Sequence, residues 1–256
     1  MLTRAERNLL HGLQRRKVRD AEGACLVEGV RVVEDLLDSG VPLRFAVVSS
    51  TLEDTDRGAR LAAMLEARCP VHRVSEAELS RYAATEAVQG VVVVAEIPRR
   101  ELAGMEVRGA APVLVLDAVQ DPGNFGTLAR SAGAFGAAFV AVLPGTVDPW
   151  NPKAIRSAAG ATFRVPVVPA ELPELVEWLR ENGYAFYGAD AAGTPVDRID
   201  FPSRVALAVG NEGAGLGRDV REAVDALVAI PHRGRAESLN VAVAAGILLY
   251  LISRSA

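Results

Sequence analysis

VLVLDAVQDPGNFGTLAR (residues 113–130) opens with four consecutive apolar residues and ends with apolar positions at helical spacing; aspartates, proline and glycine lie between. An apolar run this short, bounded by turn residues, reads as a strand buried on both faces that feeds a helix across a loop. A buried strand followed by a helix is the unit of an α/β sheet, and in an open parallel sheet ligands sit beyond the C-terminal ends of the strands. The loop from Asp117 to Asn124 is therefore the first place to look for function.

The alternation continues downstream. Phe125 to Ala134 is expected as a helix, Phe139 to Leu143 as a strand, Asn151 to Ala159 as a helix, Val165 to Val168 as a short strand and Glu171 to Asn182 as a helix. Ala185 to Gly188 and Val205 to Val209 read as further strands, Arg218 to Val224 as a helix, Ala226 to Ile230 as the last strand, and Leu239 to Ile252 as a terminal helix capped by Ser238. Upstream, Leu2 to Leu13 has helical spacing, and strand-like runs at 25–27, 45–48, 71–74 and 91–94 alternate with helices at 30–37, 57–68 and 76–82. Between Ile97 and Pro112, prolines, glycines and weak periodicity mark a linker. The expected organisation is a small α/β domain over 1–97, a linker over 98–111 and a second α/β domain over 112–256.

Half of the 256 residues are hydrophobic, enough for sizeable cores. The longest apolar stretch, Val241 to Ile252, falls short of the roughly 20 residues of a bilayer span, so a soluble, cytoplasmic protein without a membrane partner is expected. Cys25, Cys69 and three histidines have neither disulfide nor zinc spacing, and no metal is expected. A net charge of −4 argues against indiscriminate coating of nucleic acid but leaves room for a local basic patch. Arg15, Arg16, Lys17 and Arg19, flanked by Arg4, Arg7 and Arg31, are the candidates to neutralise RNA phosphates; a solvated helix face is the plainer account of the same charges.

Three segments stand out. In the first, Asn124 lies near a helix start, where capping would account for it, and Arg130 follows six residues on. The second, AVGNEGAGLG (208–217), surrounds Glu212 with Gly210, Gly213, Gly215 and Gly217, so that backbone can approach a ligand closely. It is neither the dinucleotide fingerprint nor a phosphate-binding P-loop, which disfavours a nucleotide-dependent oxidoreductase. The third, IPHRGRAESLNV (230–241), places polar Ser238 and Asn240 at the mouth of an apolar helix; His232 by itself reads as a loop residue. Capping explains Ser238 and leaves Asn240 without an obvious role.

Together, in this order, the three segments resemble the signature motifs of the SpoU/TrmH ribose methyltransferases. NPKAIRSAAGA (151–161) looks like that family's intervening helix, and RKVR (16–19) through LVEG (26–29) looks like its small RNA-binding domain, related to ribosomal protein L30e, so the likeness covers nearly the whole chain. The resemblance implies a parallel-sheet α/β domain with a deep trefoil knot, a bound S-adenosylmethionine and a homodimer formed through the knotted domain. It also implies methylation of a ribose 2′-hydroxyl, in ribosomal RNA of the 23S type rather than transfer RNA; a non-catalytic assembly factor of the same fold is the competing reading. Carried over to this sequence, Gly210, Ile230 and Leu239, with Asn211, Gly213 and Gly215, would hold the methyl donor, and Asn124, Arg130, Glu212, Ser238 and Asn240 would be catalytic or RNA-facing.

A ribose hydroxyl is a poor nucleophile until its proton leaves or is strongly polarised. The arginine at the position of Arg130 is the base proposed in the family, but a guanidinium ordinarily keeps its proton. Arg130 is therefore expected to anchor phosphate and stabilise the developing alkoxide, with Asn124 orienting it or the ribose.

Overall fold

Successive residues of the first strands point to opposite faces of one sheet. In the computed structural model, which describes residues 1–83, 88–107, 109–231 and 238–255, the chain forms two compact units: residues 1–98 with 148–164, and residues 99–147 with 165–256. The first unit runs α1 (Arg4–Gly12), α2 (Arg16–Glu22), β1 (Ala24–Glu28), α3 (Val30–Asp38), β2 (Leu43–Ser49), α4 (Ser50–Glu53), α5 (Asp56–Glu66), β3 (Val71–Val74), α6 (Glu76–Leu79) and β4 (Val91–Glu96). Its sheet has the order β1-β4-β2-β3, with β3 parallel to β2 and the other pairs antiparallel. Cys25, Val27, Ala46, Val48, Val91 and Val93 enter the core on one face; Leu26, Phe45, Val47, Val92 and Val94 enter the core on the other. Burial on both faces is why β4 reads as an unbroken valine run.

Two helices here escape the periodicity. Residues 16–22 are mostly charged, so α2 shows no apolar stripe; it stops where Gly23 takes a φ of 62° that an L-residue avoids. The four-residue α4 is too short to carry a pattern.

The second unit begins with β5 (Val113–Leu116), α7 (Pro122–Ala134) and β6 (Phe139–Val142). The chain then passes into the first unit for α8 (Pro152–Ser157) and α9 (Ala161–Arg164), and returns for β7 (Val167–Pro169), α10 (Leu172–Glu181), β8 (Ala185–Pro195), β9 (Val205–Val209), α11 (Arg218–Ala223), β10 (Ala226–Ala229) and α12 (Val241–Ser255). Six parallel strands lie in the order β10-β8-β9-β5-β6-β7, with β5 between β9 and β6. The C-terminal ends of the central β5 and β9 thus lie side by side, and the loops leaving them carry the first two segments singled out above. No helix among the described residues is long and apolar enough to cross a membrane.

The compact units depart from the division read off the sequence at two places. Residues 148–164, continuous with the second domain, are built into the first unit: Ile155 is 1% exposed in the core with Val27, Val33 and Val93, and Trp150 and Phe163 pack against that core. Arg156 pairs with Glu28, and Arg164 with Asp35 at 3.0 Å. The linker stretch, despite its glycines, packs on the second unit through Leu102, Met105 and Val107, and Tyr184 donates its hydroxyl to the Ala111 carbonyl at 2.8 Å. Truncating Ile155 to alanine should therefore destabilise the first unit by about 2–4 kcal/mol, the usual cost of deleting a fully buried aliphatic side chain; urea denaturation followed by a probe in that unit checks this.

Candidate active site

Asp121 accepts the Asn124 N–H at 2.9 Å and Pro122 occupies the first turn, so Asp121 is the N-cap of α7. That frees the Asn124 side chain from the capping role its position invites. Its Nδ2 donates to Glu212 Oε1 and its Oδ1 accepts from Asn240 Nδ2, both at 2.9 Å. Asn240 Oδ1 accepts the N–H of Ala242 at 2.9 Å and of Val243 at 3.3 Å, which makes Asn240, and not the expected Ser238, the residue that caps α12. Backbone amides only donate, so they set the direction of the Asn240 carboxamide; Asn240 in turn sets that of Asn124.

Glu212 ends this relay as an acceptor. Besides Asn124 it takes the N–H of Asp121 on Oε1 at 3.0 Å and the N–H of Gln120 on Oε2 at 3.2 Å. Partial burial pulls its carboxyl pKa up, but the bonds from Asn124 and from the backbone amides outweigh this and leave it below the usual carboxylate value. With the folded-state value depressed, its hold on the loop is present at neutral pH and is lost only as pH falls through that lowered value. Arg130, exposed on α7, makes no hydrogen bond or ion pair with any described residue. Three segments distant in sequence are thereby joined, and a guanidinium on one of them is left unspent.

The glycine-rich loop after β9 is shaped by its own contacts. A Cβ on Gly210 would lie 2.2 Å from the Gly215 carbonyl, and Asn211 and Gly215 exchange backbone hydrogen bonds of 2.9 Å, with Gly215 at a φ of 71°. Asn211 Oδ1 accepts the N–H groups of Gly213 and Ala214, and its Nδ2 donates to the Ala118 carbonyl, all at 3.0 Å. The Asn211 side chain, expected at the donor, is thus used to staple this loop to the one after β5. Ala118 there holds a φ of 54°, a left-handed conformation costly for alanine.

Ile230, Ser238 and Leu239 do meet, at an open pocket of about 120 Å³. Val228, Ala244 and Leu248 extend its apolar lining; Ala189, Asp190 and Ala191, which the sequence reading passed over, form a further wall. That wall exists because β8 outruns its expected end. Gly188 pairs with Leu227 on β10, but the next residue, Val228, pairs with Thr194, so residues 189–193 bulge from the ladder. The small residues from Gly188 to Gly193 were the available signal. Asp190 is held by Arg221 and accepts the Ala192 N–H at 2.9 Å. His232 and its neighbours to Glu237 lie outside the described residues. No group of three metal-ligating side chains occurs among the described residues.

In the first unit, Arg15, Arg16 and Lys17 are exposed at the start of α2, with Arg16 loosely paired to Asp20 at 3.6 Å. Arg19 has to be removed from the expected phosphate-binding set. It is 3% exposed, bound to Asp148, and donates Nη1 to the Leu13 carbonyl at 2.7 Å. It is buried, whereas Arg15, Arg16 and Lys17 are exposed.

Models of two known families match the chain: the SpoU rRNA Methylase family over residues 111–250 and the MRM3-like substrate binding domain over 8–93. The chain is 39% identical over 240 residues to the 23S rRNA (guanosine(2553)-2'-O)-methyltransferase RlmP of Bacillus subtilis (strain 168), covering 93% of this chain and 92% of that one. Among solved structures, the SpoU methyltransferase AviRb from Streptomyces viridochromogenes, in complex with AdoMet, superposes with a TM-score of 0.89 at 30% identity, covering 99% and 98% of the two chains. An AdoMet-bound rRNA methyltransferase from Sinorhizobium meliloti gives 0.87 at 31% identity, covering 99% and 96%. Since one family model spans every strand of the parallel sheet and these relatives match the chain almost end to end, the chain belongs to the SpoU rRNA methylase family.

Proposed function

We propose that the chain transfers the methyl group of S-adenosylmethionine to a ribose 2′-hydroxyl of structured ribosomal RNA. The observation that carries this reading is the Asn240–Asn124–Glu212 relay, which ties three loops together and leaves Arg130 unspent, in a chain of a ribosomal RNA methylase family. The relative named for the 23S molecule favours ribosomal over transfer RNA, and a site of rRNA modification implies the cytoplasm.

The pocket residues suit the methyl donor. Apolar Val228, Ile230, Leu239 and Leu248 offer surface for an adenine ring, and Ser238 and Asp190 supply polar groups beside it. When bound, the donor supplies an electrophilic methyl carbon on a sulfonium. Gly210 serves by letting the loop after β9 fold back on itself, since any side chain there would strike Gly215.

The protein's own task is to orient the hydroxyl and stabilise the charge it develops. Arg130, with its fork of donors unspent, anchors the target phosphate and polarises the ribose oxygen. Asn124 and Asn240 keep the start of α7 and the start of α12 at one spacing, and Glu212 holds the loop before α7 rather than taking a proton, because its acceptor positions face donors already. Holding the reactants in one geometry can supply about 7–11 kcal/mol of the barrier in favourable cases, so rigid loops are themselves catalytic machinery.

Residues 1–97 serve in this reading as the RNA-binding domain, with Arg15, Arg16 and Lys17 gripping flanking phosphates and single-stranded loops presenting the 2′-hydroxyl. The packing of α12 on α7 and β9, and the reach of Asn240 to Asn124, support the trefoil knot of the family. Val243, Ile247 and Tyr250, 51%, 38% and 45% exposed, form an apolar stripe along α12; we assign it to a homodimer interface.

The deciding experiment incubates the protein with methyl-labelled S-adenosylmethionine and unmodified 23S or transfer RNA, then hydrolyses in alkali. A 2′-O-methyl blocks cleavage of its phosphodiester, so label should persist in dinucleotides from 23S RNA; its absence with every RNA, from protein that binds the donor, would overturn the reading. Arg130→Lys should cut turnover by about 10²–10³-fold, the cost of one transition-state donor, with donor affinity nearly intact by calorimetry. Replacing Arg15, Arg16 and Lys17 with glutamine should weaken RNA binding and reduce the slope of log K against log salt by about 2, at roughly 0.7 per phosphate contact on single strands; filter binding over a salt series measures both.

A further inference from the structure

The bulge in β8 holds one carboxylate at the pocket of the second unit. Residues 189–193 leave the ladder after Gly188 pairs with Leu227 and rejoin it where Thr194 pairs with Val228. The return is close: a Cβ on Gly193 would lie 2.6 Å from the backbone of Leu227 and Val228, so only glycine fits there. Ala189, Asp190 and Ala191 line the pocket from this bulge, across from Ile230, Leu239 and Leu248. Among the described residues of the lining, Asp190 alone is charged, and Ser238 is the other polar side chain.

Both oxygens of Asp190 are fixed. Oδ1 accepts the Ala192 N–H at 2.9 Å, and Oδ2 is bound by Arg221 Nη2 from α11. With one donor on each oxygen the carboxylate cannot rotate, yet a carboxylate has about four acceptor positions, and the two donors leave about half of them open. Stability does not account for the arrangement. The Asp190 side chain is 13% exposed and that of Arg221 39%, and an ion pair with one member so open to water contributes little, while setting a carboxylate against an apolar lining costs hydration. Open acceptor positions on an immobilised carboxylate suit a ligand that brings donors.

We propose that Asp190 accepts the ribose hydroxyls of the bound methyl donor, with Arg221 as the residue that positions it. This rests on the donor-pocket reading given above. A nucleoside that sets its base on the apolar lining carries its ribose one glycosidic bond away, and Asp190 is the charged acceptor of that same lining. A vicinal diol offers two O–H donors to one carboxylate, the pairing by which an acidic side chain recognises the ribose of a dinucleotide, and such charge-assisted bonds are short and strong. The donor also carries a sulfonium and an ammonium, but Arg221 offsets the charge of Asp190 and so weakens its pull on a cation, leaving its acceptor capacity to neutral hydroxyls.

Calorimetric binding of S-adenosylhomocysteine and of its 2′,3′-dideoxy form tests this without RNA and without turnover. Wild-type protein should bind the dideoxy ligand about 10-fold or more weakly, the usual worth of hydrogen bonds to a charged group. In Asp190→Asn, which keeps the side chain's size, S-adenosylhomocysteine should bind less tightly and the penalty for losing the diol should shrink to about threefold or less, because the two changes remove one interaction. Arg221→Met with Asp190→Asn removes both charges and should show the same small penalty; it serves if the single variant does not fold. Equal affinity of the wild type for the two ligands, or an undiminished penalty in the variants, overturns the assignment of Asp190 and leaves the donor pocket standing. Wild-type protein that binds neither ligand defeats the donor pocket itself, and the assignment with it.

Discussion

A carboxylate that accepts two backbone amides and one carboxamide is the point on which the candidate site hangs. Glu212 is 88 residues from Asn124 in the chain, and Asn124 is 116 from Asn240, yet each bond in the relay has an ordinary length of 2.9 Å. Every donor in it faces an acceptor with no choice of direction, because the relay starts at helix amides and ends at an ionised carboxylate. Such a chain tolerates no amide flip, and it makes the start of α7, the loop after β9 and the start of α12 one construction. The parallel sheet brings β5 and β9 side by side, and the relay converts that proximity into a fixed geometry.

What surrounds the relay answers the demands it creates. Ala118 must turn left-handed to bring Gln120 and Asp121 to the carboxylate, and its carbonyl is bound by Asn211 while the turn at residues 143–147 packs beneath it. Asn211 in turn closes the glycine-rich loop. Several polar side chains near the site are therefore consumed in shaping backbone, which gives the guanidinium of Arg130, without a partner among the described residues, its meaning. The same economy holds in the first unit, where residues 148–164 supply Ile155 to the core and Asp148 to the buried Arg19.

Much of this was legible from residue order. The strands of both sheets are short runs of β-branched and apolar residues between turn signals, and β1, β2, β5 and β9 lie where those runs lie because burial on both faces demands an unbroken apolar stretch. Asn240 was legible as a polar residue where another helix former would have served, Glu212 as a charge among glycines, and Asn124 as a polar residue near a helix start. The roles were harder to read. Asn124 looked like a cap and Ser238 like another, but the caps are Asp121 and Asn240, since which of several nearby polar residues reaches the free amides depends on where the helix begins, within a residue or two. Arg19 is indistinguishable in sequence from Arg15, Arg16 and Lys17, yet it points inward.

Sequence by itself determined the periods, the breaks and the kinds of side chain: two α/β sheets, the loops that leave the strands, and an arginine, a glutamate and two asparagines held in common with one family's motifs. Those are local properties, set by backbone sterics and by which residues avoid water. Tertiary structure alone decided that residues 148–164 belong to the first unit, that β8 bulges to form a pocket wall, that Arg19 faces Asp148 and that Asn124 stands between Glu212 and Asn240. Each of these depends on a partner far away in the chain, and the free energy of a hydrogen bond or a buried contact is settled by what lies opposite, which no local pattern records.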